Sequence, residues 1–187
     1  MSRIIFALLC LLTLTVVSCK SDPKKQMLEQ LTVLKTAVLK KDKEAVSTFF
    51  SFPIKNDYLL MMINDQRNNK PALEQINKAN FLKYYNYFIT EEFINVLKKN
   101  DLQKLLTDSS LEVVVMPPSK TERCYKGYNI SLELPQITLT HYSNHRNDIP
   151  PADEEESETD DYCEFATFWH FELKNNKLLF IGADMAG

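Results

Sequence analysis

Apolar residues recur at helical spacing over residues 24–40, KKQMLEQLTVLKTAVLK. Met27, Leu31, Leu34 and Val38, supported by Leu28 and Leu39, form one stripe with lysines on the outer face, which predicts an amphipathic helix. Lys41-Asp42 breaks it, and Asp42 can cap a second helix, KEAVSTFF, that buries Val46, Phe49 and Phe50. Phe52-Pro53 stops that helix, because the residue before proline is pushed out of α geometry. The short apolar run DYLLMMIN, residues 57–64, fits strand and helix equally by period, and 65–72 is a polar loop. NKANFLKYYNYFI then places Phe81, Tyr84, Tyr85 and Phe88 on one helical face. Thr90 can cap EEFINVLKKN, whose acids lie in the first turn and lysines in the last, as the helix dipole favours. The turn DLQKLL follows.

From residue 111 the period is that of strands. LEVVVM ends at Pro117-Pro118, and CYKGYNISLEL (124–134) alternates with Tyr128, Ile130, Leu132 and Leu134 on one face. After Pro135 the apolar phase slips by one residue to Ile137 and Leu139, which predicts a bulge or bend. Residues 143–161 read as a long acidic loop. CEFATFWHFEL (163–173) aligns Phe165, Trp169, Phe171 and Leu173; Asn175-Asn176 makes a hairpin turn, and KLLFIGAD closes the sheet. Helices first and a meandering antiparallel sheet afterwards define an α+β fold with N-terminal helices packed on a curved sheet. Gly127 and Gly182, the two strand glycines, are the candidate points where that sheet kinks.

Composition narrows the function. The chain has 187 residues, 44% hydrophobic and 25% charged, as an ordinary globular domain does. Its 3 glycines, Gly127, Gly182 and Gly187, are too scattered for a phosphate-cradling loop, and no cofactor is expected. Arg3 followed by the apolar run Ile4 to Val17 reads as a secretory signal, shorter than the ~20 residues that span a bilayer. The run ends in Val16-Val17-Ser18-Cys19, which resembles the bacterial lipobox. That resemblance implies cleavage before Cys19 and acylation of Cys19, and two or three acyl chains anchor a protein stably. The division is then a signal peptide over 1–18, a lipidated cysteine and polar tether over 19–26, and one α+β domain over 27–187. Lys20, rather than Asp, follows the cysteine, which points to the outer membrane of the cell envelope.

Loss of Arg3 takes the formal net charge from −3 to −4, divided as +4 over residues 19–110 and −8 over 111–187. No concentrated basic face exists, so nucleic acid is not an expected partner. Half of the acidic side chains of 111–187 lie in one run, Asp153, Glu154, Glu155, Glu156, Glu158, Asp160 and Asp161. This run lacks the glycine and spacing of a calcium loop; it reads as a solvated segment or as a surface that steers a basic protein partner. Cys124 and Cys163 suggest one disulfide in an oxidising compartment. Each opens its own predicted strand, however, and in a simple hairpin the two starts lie at opposite ends, beyond the ~4.4–6.8 Å a bridge requires. A bridge therefore needs a kinked strand or another strand order; buried free thiols are the alternative.

The order of elements carries a second resemblance. A helix, the break LKKDKEAVSTFFSFPI, the helices of NKANFLKYYNYFITEEFINVL and long strands ending FWHFELKNNKLLFIGAD look like the nuclear-transport-factor-two-like (SnoaL-like or cystatin-like) cone, as found in lipoproteins of Bacteroidetes. The resemblance spans about residues 24–186 and implies a curved sheet wrapped around a helix with a cavity at its open end. It implies no activity, since such cones serve as isomerases, dehydratases, ligand binders and structural modules.

Enzymes on that fold often pair a carboxylate with a histidine. His170 shares its strand face with Phe168 and Glu172, opposite Trp169, and the one Asp in the strands near it is Asp184, so His170 and Asp184 are the candidate catalytic pair, provided that His170 faces the interior. His141 and His145 are four apart, a spacing with metal-binding meaning on a helix but not at the end of a strand, and no metal site is assigned. Tyr84, Tyr85, Tyr87, Tyr125, Tyr128 and Trp169 can line an apolar ligand pocket, although core packing is the commoner use of aromatics. The reading that follows is a lipid-anchored, non-enzymatic module that binds a small apolar ligand or a protein. The alternatives are a cone-fold hydrolase or isomerase using His170, and an immunity or inhibitor-type lipoprotein that docks a basic partner through its acidic segment.

Overall fold

The structure, a computed structural model, describes residues 22–67, 71–117, 123–146 and 163–187. Helix α1 (Pro23–Leu39) starts where Asp22 accepts a hydrogen bond from the Lys24 amide, with Pro23 at the first helical position. Proline is preorganised there and its missing N–H goes unneeded, so the segment read as a tether already carries the first helical turn. α1 buries Met27, Leu28, Leu31, Leu34, Ala37 and Val38. Asp42 caps α2 (Lys43–Ser47) through the Ala45 amide at 3.0 Å. The ambiguous run is helix α3 (Asp57–Asp65), capped by Asn56 and burying Leu59 and Ile63 one turn apart.

The single helix expected over NKANFLKYYNYFI is two, α4 (Lys78–Lys83) and α5 (Tyr85–Phe88), divided at Tyr84. Residues 80–88 hold five aromatics and two asparagines, all with weak helix propensity, so packing decides the backbone path. Thr90 caps α6 (Glu91–Lys99), and a 3-10 turn (Leu102–Leu106) leads into the sheet. Asn100, buried after α6, donates to Val96 O at 2.9 Å and to Tyr128 O at 3.2 Å, which ties the helix to the sheet.

Five antiparallel strands follow in the order β1-β2-β3-β4-β5: β1 (Ser110–Val115), β2 (Cys124–Glu133), β3 (Gln136–His145), β4 (Phe165–Lys174) and β5 (Lys177–Ala186). The helices cover one face. The phase slip at Pro135 is not a bend within one strand. Leu134-Pro135 is a two-residue hairpin turn with a cis peptide, and Glu133 pairs with Gln136. Leu132 therefore faces Ile137 across the hairpin, which puts even residues of β2 and odd residues of β3 on the same side. Leu134, expected to point inward, is exposed in the turn.

Gly127 also differs from expectation. The β2–β3 register runs unbroken past it, and the ring of Tyr142 lies against the place where a Cβ would sit. The glycine makes room for an aromatic on the outer face, and Tyr142 donates to Glu112 Oε1 at 2.6 Å. Gly182 stands beside the one register shift in β4–β5, where Ile181 is the extra residue. At the β5 edge the Phe180 amide donates to Phe49 O at 2.7 Å, and Phe50 forms a parallel bridge with Phe180.

Cys124 and Cys163 form a disulfide with a Cα separation of 5.4 Å. Because β3 lies between β2 and β4, those two strands run in the same direction and start at the same end of the sheet. The hairpin objection dissolves, since the hairpin partner of β2 is β3.

Candidate functional site

Near that same end, a cavity of about 170 Å³ lies between helices and sheet. Tyr58, Leu59 and Met62 enter it from α3, one face of a helix that Asn56 starts. Tyr87 of α5, the α6 cap Thr90 and Glu92 in the first turn of α6 form another side. The floor is Lys126 of β2, His141 of β3, and Phe165, Thr167 and Trp169 of β4. These sheet residues share a face because His141 pairs with Thr167 across β3–β4, flanked by Leu139–Trp169 and Ser143–Phe165.

His141 is the polar centre. It is 2% exposed, and its Nε2 is buried without a hydrogen-bond partner among the described residues. Its ring stacks on Tyr128 at 5.3 Å and meets the edge of Phe165 at 5.5 Å. Burial holds the imidazole below the usual histidine range; Glu92 opposes this and Lys126 reinforces it. The ring is therefore neutral at neutral pH, with one nitrogen a donor and the other an acceptor. Burial likewise raises the Tyr58 phenol, with a hydrogen bond from Thr167 acting the other way.

The depressed His141 value has a thermodynamic consequence. As pH falls through about 6.5 the unfolded chain takes up this proton before the folded one does, so stability declines toward the lower folded value. The slope from one such group is at most about 1.4 kcal/mol per pH unit. In urea unfolding at about pH 7.5 and about pH 5.5, His141→Phe is expected to lose less stability on acidification than the wild type. Equal losses would show that His141 takes up its proton as readily when folded.

His170 and Asp184 do meet, with Nε2 3.3 Å from Asp184 Oδ2 and Nδ1 3.0 Å from Thr138 Oγ1. They meet on the wrong face for the role expected of them. His170 and Asp184 lie on the helix-free side of the sheet, with side chains 29% and 64% exposed, across the sheet from the cavity floor. A cavity base at His170 is thereby ruled out. Its surroundings are a second pocket, of about 310 Å³, lined also by Thr138, Thr140 and Phe168.

Of the aromatics expected to line a pocket, Tyr87 and Trp169 do so. Tyr85 is core, its phenol pushed up to about 12 by burial and then by Asp42. Tyr125 packs against Tyr142 at 6.2 Å. Sequence reasoning takes His141 only together with His145, as a metal pair whose spacing means nothing at a strand end, and so misses its place in the cavity. The alternation Ile137, Leu139, His141 would have pointed it inward with the core. Cys19 and the run Asp153 to Asp161 lie outside the described residues. Among the described residues, no group of three or more His, Cys, Asp or Glu is placed to hold a metal ion, and no helix is long and apolar enough to cross a membrane. No protein-family model matches the chain, nor does any curated protein or solved structure.

Proposed function

We propose that this protein is a lipid-anchored envelope module of the nuclear-transport-factor-two-like cone type, which binds a small ligand without converting it. The observation that carries the reading is the cavity at the junction of helices and sheet, apolar on most sides and with one buried imidazole on its floor. Ligand sites commonly combine an apolar lining with a few fixed polar groups. Nucleophilic catalysis instead asks for a base already hydrogen-bonded to the group it activates, and His141 Nε2 has no such contact. The cone reading is supported by the helix layer on one face of the sheet and by the Phe50–Phe180 bridge that extends the β5 edge. The anchor reading is supported by the apolar leader ending at Ser18-Cys19 and by the nearness of Asp22, where the first helix is capped.

Two measurements test this reading. Cys19→Ser should move the protein from the membrane fraction to the soluble one; retention in the membrane would refute the anchor. Trp169 is the single tryptophan of the chain and lines the cavity, so its fluorescence reports occupancy directly. Single-ring aromatic compounds should change it saturably, and a flat response would refute the binding module.

A further inference from the structure

Resting on the proposed binding role, we infer that the cavity takes a neutral, single-ring-sized molecule bearing a hydroxyl group, which hydrogen-bonds to His141 Nε2. Size sets the first bound. A cavity of about 170 Å³ is close to the engineered apolar cavity of ~150 Å³ that holds benzene, and well below the ~300–1,000 Å³ of drug-sized sites. Shape and lining set the second: Trp169, Phe165 and Tyr58 offer ring faces and edges, and Leu59 and Met62 fill the sides.

The polar group follows from the donor and acceptor chemistry. A buried polar atom left without a partner destabilises the site that holds it, so His141 Nε2 favours a ligand that satisfies it. An imidazole kept neutral by burial presents either a lone pair or an N–H at Nε2, depending on tautomer. A hydroxyl matches both, because it donates and accepts. A carboxylate only accepts and an ammonium only donates, and each sets a charge against a buried imidazole and a largely apolar lining at a desolvation cost. Glu92 and Lys126, both in the lining, carry opposite charges and favour neither sign. Phenol is the simplest molecule that fits, and toluene is its near-isostere without the hydrogen bond.

The experiment uses the folded domain, Trp169 fluorescence excited where phenol does not absorb, and titrations with phenol and with toluene. Comparing the phenol-to-toluene affinity ratio in the wild type with that in His141→Phe cancels the different hydrophobicities of the two probes. The ratio should fall about tenfold in the variant, the equivalent of one hydrogen bond of ~1.4 kcal/mol. In the wild type alone, the ¹⁵N resonance of His141 Nε2 should move with phenol and not with toluene, which keeps the test valid if the variant does not fold. Equal ratios, or a Nε2 signal indifferent to phenol, would overturn the hydroxyl inference while toluene binding left the binding module intact. No Trp169 response to either probe would overturn both.

Discussion

Phe81→Ala is expected to destabilise the domain by about 3–5 kcal/mol, a large share of the ~5–15 kcal/mol that separates folded from unfolded states. Phe81 is fully buried on α4. Its ring meets Phe50 at 4.6 Å, Phe88 at 4.8 Å, Phe52 at 5.6 Å and Tyr85 at 5.9 Å. Phe50 in turn packs on Phe180 of β5 at 4.8 Å and Phe171 of β4 at 6.5 Å. Phe81 therefore joins two short helices to the sheet. Helices of this length have little stability of their own, and α4 and α5 depend on that contact. Alanine removes the ring and leaves a cavity that rigid neighbours cannot fully close. Phe81→Leu keeps much of the volume and should cost less. Equilibrium unfolding in urea measures both, and a loss under about 1 kcal/mol for the alanine variant would mean that the helices hold their places by other contacts.

Much of this core was legible because its residues obey simple periods. Met27, Leu31, Leu34 and Val38 are all buried on α1, and the capping roles of Asp42 and Thr90 follow from their place before an apolar stripe. The misreadings share a different cause: each involves a relation between segments that no local window contains. The slip from Leu134 to Ile137 looks the same for a bulge and for a two-residue hairpin, and only the partner of Glu133 separates them. Gly127 is explained by Tyr142, a strand away. The site shows the same limit. His170 and Asp184 are candidates only as a strand histidine and the aspartate nearest to it, and the two are indeed neighbours. Which face of the sheet the pair occupied depended on where the helices pack. His141 lies on the helix-covered face, where burial makes an unpartnered nitrogen costly and thus informative.

The disulfide links that site to the stability of the fold. Cys124 and Cys163 stand two residues before Lys126 and Phe165, which both line the cavity. β3, the strand that carries His141, runs between the strands the bridge connects. The two cysteines are 39 residues apart in sequence, and closing a loop of that length removes about 4 kcal/mol of chain entropy from the unfolded state. The paired variant Cys124→Ala/Cys163→Ala, which leaves no odd thiol, should lose about that much stability, and for a domain of this size Tm should fall by roughly 10 °C. Reductant should lower the wild-type Tm to the same degree and leave the variant unchanged. Because the bridge also holds the β2 and β4 ends of the cavity wall together, the variant should bind toluene more weakly even at temperatures where it is fully folded. An unchanged Tm in the variant would mean that the strand pairings alone hold the two ends together, and that the unfolded chain gains nothing from release of the loop.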